Sequence, residues 1–169
     1  MTSLPKTCLI FVFTPGRDEI VVINKRRKMG AGKLCFPGGK INHGESLEAG
    51  ALRELSEETG IENVESLKSR GTIEFIFESD NGVSLNWSNQ CFLYEAIVSK
   101  EYRDTFTLSS KDFEECSPFW AQFDALPWEQ FWPDDRNWVP KIKMGVSVFR
   151  RIIFNPDGSV KKTEETIMV

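Results

Sequence analysis

The sequence predicts a layered α/β or α+β domain, and three patterns point to it. Short apolar or alternating runs mark strands along most of the chain. Two segments carry helix periodicity with recognisable start and stop residues. No internal repeat, low-complexity tract or Pro/Ser-rich linker divides them, so one domain over residues 1–169 is expected.

Thr7 to Thr14 is an apolar strand, and Pro15-Gly16-Arg17-Asp18 turns the chain into a second strand near Glu19 to Asn24. The basic run Lys25-Arg26-Arg27-Lys28 follows, then a glycine-rich loop from Gly30 to Gly39. A helix is expected over Leu47 to Thr59, with Ser46 as N-cap and Gly60 as its stop. From Thr72 to Glu78, Ile73, Phe75 and Phe77 alternate with Thr72, Glu74 and Ile76, the pattern of a half-buried strand. Further strands fall around Gln90 to Ala96 and at Phe119 to Phe123. Asp134 to Lys143 reads as a second helix that Pro140 must kink or restrict to a late start. Val146 to Asn155 and Val160 to Met168, joined by Pro156-Asp157-Gly158-Ser159, form a closing hairpin.

Composition narrows the chemistry. The apolar fraction of 40% and charged fraction of 27% are those of an ordinary globular protein. A net charge of −4 argues against a partner that is a nucleic-acid duplex or an acidic membrane surface. The first apolar run, Leu9 to Phe13, is too short for a membrane span or a signal-peptide core. Cys8, Cys35, Cys91 and Cys116 show no CxxC spacing, and His43 is the only histidine. A Cys/His zinc site and a Ser-His-Asp triad are therefore not expected. Thiols without a disulfide framework suit a reducing compartment, the cytoplasm or the nucleus.

The charge is concentrated in one place. Between Glu45 and Glu58 there are five acids and one base, Arg53, which by itself equals the net charge of the whole chain. On a helix, Leu47, Ala51, Leu52 and Leu55 form one apolar arc, while Glu54, Glu57 and Glu58 fall at about 340°, 280° and 20° on its border. Glu54 is spaced i,i+4 from Glu58 and i,i+3 from Glu57, and each such like-charge pair costs a helix roughly 0.2–0.5 kcal/mol. All three acids also lie in the C-terminal half, where the helix dipole disfavours anions. A solvated acidic face is the common reading of such a pattern. A cluster of hard oxygen ligands for Mg²⁺ or Mn²⁺ is the other.

The full spacing decides between them. It runs Gly39, five residues, Glu45, seven residues, Arg53-Glu54-Leu55, one residue, Glu57-Glu58, one residue, Gly60-Ile61. A chance match to this pattern is on the order of one in ten million for a chain of this size. The segment 39–61 resembles the Nudix box at every defined position. That resemblance implies an α/β/α sandwich with a central mixed β-sheet and two main helices. It also implies a metal site of Glu54, Glu57, Glu58 and Gly39 that takes Mg²⁺ or Mn²⁺, and hydrolysis of a diphosphate linkage. Arg53 would hold a box carboxylate in place, Glu45 would orient the loop, and Gly39 and Gly60 would permit turns. His43 sits at a variable position of the same loop and is read as exposed.

Two further stretches bear on the substrate. Lys25 and Arg27 are the residues of the basic run best suited to neutralise a triphosphate, although an exposed lysine-rich strand end explains them equally well. Trp132 and Trp138 flank Asp134 and Asp135, which is either a flat purine slot with polar edges or a helix start with two core tryptophans. Two adjacent carboxylates in a dry pocket push one pKa up, so one can donate while the other accepts. Beyond the box, the chain from about Thr7 onward is similar to the oxidised-purine nucleoside triphosphatase branch of the family. This implies a purine nucleotide substrate, the alternatives being a dinucleoside polyphosphate, capped RNA or a nucleotide sugar, or a non-catalytic nucleotide-binding module; a monomer is expected. By position it implies base recognition by Trp132, Asp134, Asp135 and Trp138, pocket walls from Phe75 and Phe77, and an additional active-site carboxylate at Glu115. The chain departs from that branch where Cys35 replaces a purine-reading asparagine, Met29 a pocket phenylalanine and Cys8 a threonine. A thiol cannot donate and accept as an amide does, so the resemblance does not carry a preference for one oxidised purine.

Overall fold

The computed structural model describes residues 3–166. Nine strands and three α-helices succeed one another: β1 (Lys6–Phe13), β2 (Glu19–Lys25), β3 (Leu34–Cys35), β4 (Gly38–Lys40), α1 (Leu47–Thr59), β5 (Ser66–Phe77), β6 (Asn89–Ile97), α2 (Lys100–Thr105), β7 (Cys116–Gln122), α3 (Asp135–Lys143), β8 (Val148–Phe154) and β9 (Val160–Glu165). The main path of the sheet runs β3-β2-β1-β6-β5-β8-β9, with β4 paired to β1 and β7 to β2. The β1–β6 and β5–β8 pairs are parallel and the remaining pairs antiparallel, so the sheet is mixed as expected.

β1 explains how the layers form. Side chains alternate across a strand, and here both sets are apolar. Cys8, Ile10 and Val12 join Ala51, Leu55 and Ile61 beneath α1, while Phe11 and Phe13 join Trp138, Val139 and Ile142 beneath α3. The sheet is thus buried on both faces at its centre. β2 divides in the same way, with Val21 on the α1 side and Ile20 and Val22 on the α3 side.

α1 has the bounds its sequence predicts. The Ser46 side chain accepts from the Ala49 N–H, and Gly60 closes the helix at φ 77°, a conformation that favours glycine. One detail of the helix face differs from expectation: Leu52 is 38% exposed, whereas Gly50 and Thr59 are buried. The buried arc is therefore centred closer to Ala51 and Glu58, which turns Glu58 inward.

Other boundaries also shift. β5 begins at Ser66 rather than Thr72, with a register shift between Ser69 and Thr72 that interrupts the alternation. The glycine-rich loop contains the two short strands β3 and β4. The helix α2, capped by Ser99, has no apolar periodicity in its six residues and escapes sequence reading. Pro140 sits inside α3 without ending it. The closing hairpin forms, and the part of the predicted last strand beyond Thr166 lies outside the described residues. No helix among the described residues is long and apolar enough to cross a membrane.

Candidate active site

The carboxylates of α1 meet the loop that precedes it. Arg53 is the hub: its Nε and Nη2 donate to the two Glu45 oxygens at 3.1 and 2.7 Å, Nη1 reaches Glu54 Oε1 at 3.0 Å, and Nη2 also donates to the Lys40 carbonyl at 2.8 Å. Glu57 lies farther off, at 3.4 Å, and is half exposed. Glu45 also accepts from the Asn42 N–H at 2.6 Å, which ties the loop to the helix. The Arg53 guanidinium holds Glu45 below the usual carboxylate range.

Glu58 turns the other way, toward the sheet, where Oε2 accepts from the Gly38 N–H at 3.2 Å. Burial pushes its pKa up to about 7, and burial also raises that of Glu54. Gly39 makes room for Glu54: a Cβ there would stand 2.5 Å from the Glu54 carboxyl carbon. Gly50 does the same on the helix side, where a Cβ would come within 2.8 Å of a Glu45 oxygen and 2.6 Å of Ile41.

Among the described residues no three acidic, histidine or cysteine side chains converge as a finished ligand cage, and Arg53 bridges the acids instead. The donor set still fits a hard divalent cation. It consists of oxygens only, two of them desolvated, beside a glycine cradle that a side chain would fill.

Across this cleft stands Glu115. With Lys28, Ser110, Lys111, Asp112 and Cys116 it lines the side facing Glu54, Glu57 and Glu58. Lys28 bonds Glu115 at 2.8 Å and keeps its pKa low, while Lys25 lies 3.8 Å away. Lys25 is placed between the cleft and the neighbouring cavity and lines the latter. Arg27 stands apart from both: half exposed, it pairs with Asp112 at 2.7 Å and contributes to neither wall. His43 is exposed, as read from the sequence.

The neighbouring cavity holds about 220 Å³ and is walled mainly by apolar groups. Met29, Phe36, Phe75, Phe77, Trp132 and Phe154 line it together with Lys25, Gly38, Gly39 and Glu58, and Glu58 also lines the carboxylate cleft. Phe77 stacks on Phe154 with ring centroids 4.9 Å apart and meets Trp132 edge-on at 5.7 Å. Cys8, Cys35 and Cys91 also face this space, and burial pushes the Cys35 thiol up to about 12, so it is neutral there.

Asp135 is the one acid besides Glu58 that lines the cavity. Burial, followed by the charge of Asp134, pushes its pKa up to about 8, so near neutral pH it is largely protonated and able to donate. Asp134 points elsewhere, its Oδ1 accepting from Asn137 at 2.8 Å.

Two expectations for this segment divide. Trp132 is at the cavity wall, but Trp138 is fully buried in the core, edge-on to Phe11 at 5.7 Å, and does not line the cavity. Trp138 thus has the core position of the second reading, while Trp132 lies on a cavity wall, because positions 132 and 138 lie on opposite sides of the start of α3. Phe154, Cys91 and Asn89 also line the cavity and were missed. The alternation of the strands that hold them marks them as inward or half-inward, but not as facing a cavity rather than a core.

The NUDIX domain family matches residues 4–142. This chain belongs to the Nudix hydrolases. Members of the family generally need a divalent metal such as Mg²⁺ or Mn²⁺. A Mus musculus protein named oxidized purine nucleoside triphosphate hydrolase is 33% identical over 139 residues, which is 78% of this chain and 75% of that protein. The Nudix fold is shared with a mutator MutT protein from Bacillus halodurans at TM-score 0.75 and 21% identity, over 95% of this chain and 97% of that one. The NUDIX domain of NrtR from Shewanella oneidensis, solved with ADP ribose, superimposes at TM-score 0.67 and 16% identity, covering 86% and 90% of the two chains.

Proposed function

We propose that this Nudix hydrolase cleaves purine nucleoside triphosphates, oxidised ones included, to the nucleoside monophosphate and pyrophosphate. The observation that carries the reading is the junction of two spaces. An apolar cavity with the buried Asp135 carboxyl on its wall shares Glu58 with a cleft of carboxylates. The identity to an enzyme named for oxidised purine triphosphates supports the same substrate class.

In this reading the base lies against Trp132 with Phe75, Phe77 and Met29 around it, and Asp135 donates to its edge. Lys25, which lines the cavity, faces the first phosphates, with Lys28 beyond it. Glu54, Glu57 and Glu58, beside Gly39, would hold Mg²⁺ or Mn²⁺, which when bound neutralises phosphate oxygens and lowers the pKa of water. Arg53 keeps Glu45 and Glu54 in register from behind. A carboxylate of the cleft takes the proton of the attacking water, Glu54 or Glu115 in this reading. One phosphorus–oxygen bond forms to water and the anhydride bond between the α and β phosphates breaks, giving the nucleoside monophosphate and pyrophosphate.

A panel of normal and oxidised purine triphosphates, a pyrimidine triphosphate and ADP ribose, with Mg²⁺ and with phosphate and pyrophosphate measured separately, tests this. Pyrophosphate release from purine triphosphates at least about tenfold faster than from the others is expected. Turnover of ADP ribose alone would move the assignment to another diphosphate substrate.

A further inference from the structure

Three buried side-chain polar atoms among the described residues lack a hydrogen-bond partner, and they belong to neighbours: Asp134 Oδ2, Trp138 Nε1 and Arg150 Nε. Arg150 is the unusual member. In β8 the inward positions are Val148, Arg150, Ile152 and Phe154, so a guanidinium occupies a slot of the apolar face while its neighbour Arg151 is exposed. A buried charge at such a position is costly unless paired. Its Nη1 lies 3.9 Å from Asp134 Oδ2, and its Nη2 bonds Glu165 Oε1, on the adjoining strand, at 2.8 Å. Arg150 also lies outside the segment that the family matches, residues 4–142.

We propose that Arg150 is a positioning residue of the base pocket: beside Asp134, it settles the negative charge of the aspartate pair on that residue and leaves Asp135 facing the cavity as a hydrogen-bond donor. The inference rests on the base-pocket reading above. The groups around the pair are Arg150 from β8, Lys33 from the loop before β3, Cys35 from β3 and Cys91 from β6, with Glu165 from β9 behind Arg150. Burial makes both thiols neutral, and Glu165 is mostly exposed. Arg150 is thus the buried cation of the set, next to Asp134, while Lys33 acts on Asp135 with its ammonium over the Trp132 ring. Two adjacent carboxyls share their protons as a unit, and a fixed cation beside one of them decides which keeps the proton.

The test is kcat/KM against pH for wild type, Arg150→Met and Arg150→Lys, with carbon-detected NMR of the aspartate carboxyls in the ligand-free protein. In wild type the proton retained near neutral pH resides on Asp135. In Arg150→Met the pH at which the pair gives up its last proton rises by about one unit or more, because an attractive charge for the dianion is gone. KM rises about tenfold while kcat changes little, since Asp135, the member of the pair that lines the cavity, faces the base and not the phosphates. Arg150→Lys restores most of the pH shift, which a role in packing alone would not do. An unchanged titration in a cooperatively folded Arg150→Met overturns the proposal. So does a wild-type spectrum with the proton on Asp134, which requires no variant. If no purine triphosphate is hydrolysed by wild type, the substrate reading fails, while the carboxyl titrations still decide the role of Arg150.

Discussion

Replacing Gly39 by alanine separates the site from the fold with one methyl group. The added Cβ would stand 2.5 Å from the Glu54 carboxyl carbon and 2.6 Å from each of its oxygens. Ordinary contacts begin near 3.4 Å, so the carboxylate must withdraw by about 1 Å. It can do so, because it is the end of a flexible side chain, and the backbone at Gly39 is not in the left-handed region that would strain alanine. The fold should therefore tolerate the change, with a thermal midpoint within a few degrees of wild type. The chemistry should not. A displacement of about 1 Å in a reacting constellation costs on the order of a hundredfold, or about 2.7 kcal/mol of transition-state stabilisation. The assay is Mg²⁺-dependent pyrophosphate release with thermal unfolding measured on the same samples. Gly38→Ala is the contrasting control: its Cβ would run into the backbone carbonyl of Cys8, which cannot swing aside, so folding itself should suffer. If Gly39→Ala keeps kcat/KM within about twofold of wild type, Glu54 is not part of the catalytic constellation.

Other outcomes follow from the same geometry. Glu58→Gln keeps the shape and the acceptor for the Gly38 N–H but removes the charge, so Mg²⁺-dependent turnover should fall at least about a hundredfold, and an unaltered rate would remove Glu58 from the metal site. Trp132→Ala should raise KM for purine triphosphates by about tenfold or more with a smaller effect on kcat, measured by initial rates, whereas Trp138→Ala should chiefly lower the thermal midpoint because that ring is in the core. Asp135 binds its proton more tightly in the folded protein, about 8, than in the unfolded chain, about 3.9. Its contribution to stability is full below about pH 4 and is lost as pH rises to about 8. Asp135→Asn should therefore flatten the fall of unfolding free energy over that window, and a parallel curve in urea titrations would contradict the burial argument. Cys35→Asn puts an amide that can both donate and accept into the cavity and should change the ratio of kcat/KM between oxidised and normal purine triphosphates, read from the same panel.

The carboxylate helix was legible because its information is local. A cap, a stop and a 3.6-residue period fix α1 from Ser46 to Gly60. The spacing from Gly39 to Ile61 then marks the segment as a Nudix box. Even there, which acids turn inward depended on packing: Leu52 belongs to the apolar arc by angle but is exposed, and Glu58 takes the buried side facing Gly38.

What lies over the helix was a tertiary decision. Trp132 and Trp138 look equivalent in sequence, yet one lines the cavity and the other fills the core, because the chain enters α3 between them. Arg27 carries the charge a triphosphate needs, but the loop returns it to Asp112, and Lys25 is the basic residue that lines the cavity. Phe154 reaches the cavity, and Arg150 reaches Asp134, from the far end of the chain because β8 pairs in parallel with β5. Local periodicity and capping are written into consecutive residues and can be read one segment at a time. Which side chains share a cavity depends on strand register and helix docking between segments up to a hundred or more residues apart, and only the folded structure supplies that.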